Sequence, residues 1–156
     1  MTILDAIEIV RVDAASAEAM DLMSELDEEL QRRYPGAVIH GLRQEDEGDR
    51  RLTFFVARAG DRPAGCAALR ELDADTGEVK RMFVREPFRG RGVARLLVAA
   101  LESRGRELGY SALRIETGDR QPEAIGLYRS AGFAPIAPFG PYAGNAYSRC
   151  FEKKLI

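Results

Sequence analysis

At 156 residues, with 46% hydrophobic and 31% charged positions, the chain has the length and composition of one globular domain around one core. A net charge of −2 gives no electrostatic footprint for nucleic acid or for an anionic membrane surface. No apolar run approaches the ~20 residues that span a bilayer, and the start, Met1-Thr2-Ile3-Leu4-Asp5, is too short and too acidic for a signal peptide, so the expected location is cytoplasmic.

In chain order, Ile7, Ile9, Val10 and Val12 predict a first strand over Ala6 to Val12. Asp13 or Ser16 can cap the helix that follows, with Ala19, Leu22, Met23, Leu26 and Leu30 at helical spacing, and Tyr34-Pro35-Gly36 ends it. Residues 36 to 50 read as a loop or a short second helix. Strands are expected over Leu52 to Arg58, Ala64 to Leu72 and Glu78 to Val84, separated by turns at Ala59-Gly60-Asp61-Arg62-Pro63 and Asp73-Ala74-Asp75-Thr76-Gly77. A helix from Arg91 to Leu108 stops at Gly109, and a strand from Ser111 to Thr117 follows as a right-handed parallel crossover. Pro122 opens a helix to Ala131; short strands over Phe133 to Ile136 and Ser148 to Leu155 close the chain. Between them lies an aromatic Pro/Gly segment with Phe139, Tyr142 and Tyr147, a candidate lid or an anchored surface loop. Cys66 and Cys150 stand alone in apolar runs and are expected in the core; the sole histidine, His40, argues against a His-based metal site or a Ser-His-Asp triad, and no metal is expected.

The most informative stretch is Val84 to Leu97, a strand end, an Arg/Gly turn and a helix start. Gly90 and Gly92 lack a Cβ, the first helical N–H groups seat an anion, and Arg89 and Arg91 match phosphate oxygens. A P-loop would need Lys then Ser or Thr, where Val93-Ala94 stands; a dinucleotide fingerprint would need glycine at Arg95. The pattern Arg/Gln-x-x-Gly-x-Gly/Ala is filled by Arg89, Gly92 and Ala94. A plain solvated turn is the alternative.

That pattern resembles the coenzyme A pyrophosphate loop of the GNAT (GCN5-related N-acetyltransferase) superfamily. Ala124-Ile125-Gly126-Leu127-Tyr128-Arg129-Ser130-Ala131-Gly132-Phe133 is similar to the family's Ala-x-x-Leu-Tyr-x-x-x-Gly-Phe helix, and Glu78 to Val84 to the strand carrying a catalytic glutamate in histone-acetylating members. The ending, from Pro138-Phe139 to Lys153-Lys154-Leu155, looks like that of small bacterial GNAT proteins of uncertain substrate. The resemblance implies an α/β (mixed α+β) GNAT fold: one domain over residues 1–156, with a twisted mixed sheet of six to seven strands and helices on both faces. It implies acetyl-CoA as cosubstrate, held by the loop Arg89, Gly90, Arg91, Gly92, Val93 and Ala94 and by the backbone of Met82, Phe83 and Val84. Gln121 stands where many members carry Asn on the coenzyme arm.

Tyr128 is the expected proton donor to the departing thiol, or else a core aromatic. Glu78 is the expected base, or else a structural acid paired with Lys80 or Arg114; Glu25, Glu28, Glu29 and His40 are the next bases to consider. The implied acceptor is a primary amine of a small molecule, with a protein Lys or N-terminal amine second. A coenzyme A-binding sensor without turnover is a further alternative. The expected assembly is a monomer or homodimer.

Overall fold

The structure is a computed structural model and describes residues 6–36 and 51–155. The expected loop or helix over 37 to 50, with His40, lies outside the described residues. Strand β1 (Ile7–Val12) leads into helix α1 (Ala17–Arg33). Ser16 caps α1: its hydroxyl accepts from the Ala19 N–H at 3.2 Å, the bond that relieves an orphan donor of the first turn. Then come β2 (Leu52–Ala59), β3 (Arg62–Asp73), β4 (Thr76–Val84), helix α2 (Val93–Glu107), β5 (Ala112–Gly118), helix α3 (Pro122–Ser130), β6 (Ala134–Ile136) and β7 (Ser148–Lys154). Single 3-10 turns at Glu86–Phe88 and Gly140–Tyr142, each with a proline in its first positions, were not anticipated from periodicity.

The strands form one seven-stranded sheet in the order β1-β2-β3-β4-β5-β7-β6. β1 to β4 are an antiparallel meander, β4 and β5 run parallel through the α2 crossover, and β7 inserts between β5 and β6. This is the mixed α/β architecture expected from the element order.

The sheet is covered on both faces. Leu97, Leu101 and Val93 of α2 and Tyr128 of α3 pack with Ala67, Leu69, Val79, Leu113 and Ile115 on one side. Leu22 and Leu26 of α1 pack with Phe54, Val56, Cys66, Ala68 and Phe83 on the other. Small side chains along β3 (Ala64, Cys66, Ala67 and Ala68, all fully buried) let both layers approach the sheet closely. Among the described residues no helix is long and apolar enough to cross a membrane.

Candidate active site

Two irregularities of β4 create the site. Its parallel pairing with β5 runs only from Thr76↔Ala112 to Val79↔Ile115. Past that register the strands diverge, and a cavity of about 740 Å³ opens between them. The second irregularity is a bulge. Cys66 pairs with Phe83 and Ala68 with Lys80, so Arg81 and Met82 oppose Ala67 alone. Arg81 sits at φ 58°, in the left-handed region that a non-glycine residue enters only when its surroundings hold it there. They do: its guanidinium donates to Asp27 Oδ1 and to the Met23 carbonyl of α1, each at 2.8 Å, and its own carbonyl accepts from the Cys66 thiol at 3.3 Å. Burial pushes the Cys66 thiol up to about 12, so the sulfur keeps its proton for that bond.

Lys80, Arg81, Met82, Phe83 and Val84 line one wall of the cavity. Beyond Val79 the register with β5 has ended, so β4 turns a backbone edge toward the opening. At the far end Gly90 (φ 74°) and Gly92 (φ 83°) shape the turn into α2. Gly92 is the N-cap and offers no side-chain cap, so the first-turn N–H groups of α2 face the cavity that Gly92, Val93 and Ala94 line. Gln121, Ala124, Gly126, Leu127 and Tyr128 form the α3 wall. A Cβ on Gly126 would meet nothing within 4 Å, so this mid-helix glycine leaves the wall open.

The arginines differ from expectation. Arg89 lines the cavity, but its guanidinium donates to the Val84 carbonyl at 2.8 Å and to Glu29 at 2.6 Å. Arg91 is exposed and does not line the cavity, because the two left-handed glycines turn it outward. Arg95, one turn into α2, does line it and donates to Ser130 Oγ at 2.7 Å. In the sequence Arg95 had stood out only as the residue that breaks a dinucleotide fingerprint.

Of the acid and base candidates, Tyr128 faces the cavity while being 3% exposed. Burial first, and the nearby Glu116 second, raise its phenol well above the usual tyrosine range, so it remains protonated. Glu78 is placed differently. It pairs with Arg114 in the last stretch of intact β4–β5 register, is 1% exposed and does not line the cavity. Its oxygens accept from Arg70 at 2.9 Å and from the Tyr142 hydroxyl at 2.6 Å, with the Lys80 ammonium at 3.9 Å. Arg114, one of its expected partners, instead bonds Glu152 at 2.7 Å. Glu25 pairs with Arg85, and Glu29 with Arg89.

The carboxylate that does line the cavity from β5 is Glu116, one step beyond the last β4–β5 pair. One of its oxygens accepts from Ser148 Oγ at 2.7 Å. Sequence reading passed over it because Arg114 and Glu116 look like the polar half of an alternating strand. What distinguishes them is where the parallel pairing stops, and no local pattern encodes that.

The family model described as acetyltransferase (GNAT) matches residues 18–133. The chain belongs to the GNAT acetyltransferase family. It is 37% identical over 150 residues to the IAA acetyltransferase of Azospirillum brasilense, covering 96% of this chain and 98% of that one. It is 32% identical over 145 residues to the uncharacterized N-acetyltransferase YsnE of Bacillus subtilis (strain 168), covering 92% and 96%. A Klebsiella pneumoniae structure assigned to the acyl-CoA N-acyltransferases superposes with a TM-score of 0.82 at 27% identity, covering 96% and 98%. A GNAT acetyltransferase from Elizabethkingia anophelis, solved with acetyl-CoA bound, gives 0.69 at 21%, covering 96% and 99%. The chain is therefore an acyltransferase of this family, whose members use acetyl-CoA.

The GNAT cleft suits that cosubstrate in this chain. An uncapped N-terminus on a helix of 15 residues, entered through glycines without Cβ, has the geometry to accept phosphate oxygens. The β4 edge can pair with an amide-bearing arm as an added strand would. The opposite mouth is strapped. The Tyr34 hydroxyl at the end of α1 accepts from the Arg120 N–H at 2.6 Å, and Arg120 donates back to the Arg33 carbonyl at 2.9 Å. The Arg120 guanidinium lies 5.5 Å from the Tyr34 ring centroid and 5.6 Å from that of Tyr147. Tyr142 is buried, edge-on to Phe139 at 5.3 Å between centroids, whereas Tyr147 is 48% exposed at the rim.

Proposed function

We propose that the chain moves an acetyl group from acetyl-CoA to a primary amine of a small molecule, with Glu116 accepting the amine proton and Tyr128 serving the leaving sulfur. The cosubstrate supplies a thioester carbonyl open to attack. An alkyl ammonium has a pKa of ~10.4 and cannot attack until it loses a proton. Glu116 stands on the β5 side of the cleft, where that ammonium would lie. Past Val79 the edge of β4 is no longer paired with β5, and a backbone N–H of that edge is the donor that would meet charge on the carbonyl oxygen. Tyr128 keeps its proton, so its hydroxyl can donate a hydrogen bond to the departing sulfur.

The observation that carries this reading is the pairing of Glu116 and Tyr128 across one cavity that ends at an uncapped helix N-terminus. It also weighs against a sensor without turnover, which has no need of either group there. The strap from Arg33 and Tyr34 to Arg120 favours a small acceptor, since a polypeptide laid across the mouth would have to part it.

Gly92→Asp tests the coenzyme end. Asp tolerates the left-handed backbone better than most residues, yet brings negative charge to the phosphate seat. Calorimetry with coenzyme A should show affinity falling at least tenfold, ~1.4 kcal/mol, in a variant with unchanged circular dichroism. Unchanged affinity would remove the loop from the coenzyme site.

A further inference from the structure

Lys80 and Glu116 are opposite charges at equivalent steps of two diverging strands. Val79 and Ile115 are the last paired residues, and both point into the α2 core. Lys80 and Glu116 follow them, so both point to the other face, toward α1 and the strapped mouth. Each lines the cavity. Neighbouring strands lie ~4.8 Å apart where they pair, and here they are separating. Lys80 is only 9% exposed; its ammonium donates to the Tyr142 hydroxyl at 3.1 Å and lies 5.7 Å from that ring's centroid. Tyr142 is in turn anchored on Glu78, which Arg70 holds from behind. The buried Glu78–Tyr142 pair therefore fixes where the Lys80 charge stands.

Arg70 and Lys80 share the single carboxylate of Glu78, so the trio keeps a net positive charge. A simple amine entering this cleft brings its ammonium toward Glu116 and, with it, toward that charge on the adjacent strand. Like charges so close in a partly desolvated site repel strongly. An acceptor that carries its own carboxylate beside the amine converts that repulsion into a contact. From this we infer that the acceptor is an α-amino acid, its ammonium on Glu116 and its carboxylate on Lys80. The inference rests on the amine acetylation proposed above and names the substrate class for that site. Burial lowers the Lys80 pKa against the raising effect of Glu78 and Glu116, and a substrate carboxylate beside it would add to that raising effect and favour the charged form.

The test compares free L-amino acids with the amines that share their side chains but lack the α-carboxylate, reading coenzyme A release from acetyl-CoA. For the wild-type protein, kcat/KM for the best amino acid should exceed that for its matching amine at least tenfold. Lys80→Met should shrink that ratio at least tenfold, and Lys80→Arg should restore part of it. Amines that react as well as or better than amino acids with the wild-type protein overturn the inference without any variant. So does a Lys80→Met protein whose ratio stays at the wild-type value. Release with other amines but with no amino acid also overturns it, while sparing amine acetylation itself. No release with any amine removes both.

Discussion

Glu116 and Glu78 are two glutamates on adjacent strands with different surroundings. Glu78 is closed in by Arg70 and Tyr142, out of reach of the cavity. Glu116 meets the cavity directly. Glu116→Gln should therefore lower kcat by roughly 10²–10⁴-fold. The loss should be greatest at low pH and shrink as pH climbs toward the amine's ~10.4, where free amine accumulates. Glu78→Gln should keep the wild-type pH–rate profile and lose stability instead, because it leaves Arg70 and Lys80 without a buried counter-charge. Tyr128→Phe should lower kcat without the recovery at high pH. Parallel pH–rate profiles and thermal melts of the three variants decide the matter. A shifted profile in Glu78→Gln with none in Glu116→Gln would return the base to Glu78.

At the level of elements, the site depends on where strands stop pairing and on what grips their ends. Gly118, the last residue of β5, illustrates the grip: a Cβ there would stand 2.0 Å from the Tyr34 hydroxyl. Gly118→Ala must push Tyr34 off its bond to Arg120 and loosen α1 from the β5–α3 turn. Overpacking of this kind costs ~1–3 kcal/mol, to which the lost hydrogen bond adds ~1 kcal/mol. Urea titration should show a loss of that order, and the acceptor KM should rise while coenzyme affinity holds. A variant as stable as the wild type would mean that Tyr34 does not strap the mouth.

The helices and strands themselves were legible because each has a local signature: Ser16 before a helical stripe, Pro122 at a helix start, Gly109 after a helix end. Boundaries shifted by a few residues at most. The Arg/Gly turn was legible as a turn into α2, because glycines before a helical stripe mark it locally. The bulge at Arg81, the outward turn of Arg91 and the arrival of Glu116 were not. Each depends on register between β4 and its neighbours, a relation between segments distant in sequence.

Taken whole, the molecule is a sheet whose two helical layers, in the proposed reading, meet two different ligands. The α2–α3 side ends in the uncapped N-terminus of α2, and the α1 side holds a charged floor of Arg70, Glu78, Lys80, Arg114 and Glu116 beneath the Tyr142 segment. The gap between β4 and β5 is where those sides meet, and the proposed chemistry is placed there. The most direct test is to follow thiol release from acetyl-CoA with a panel of small amines while mass spectrometry follows the amines. The account predicts that release depends on the amine and that each thiol freed is matched by one N-acetylated amine. Release at the same rate without amine, or thiol with no acetylated amine to match it, would contradict it.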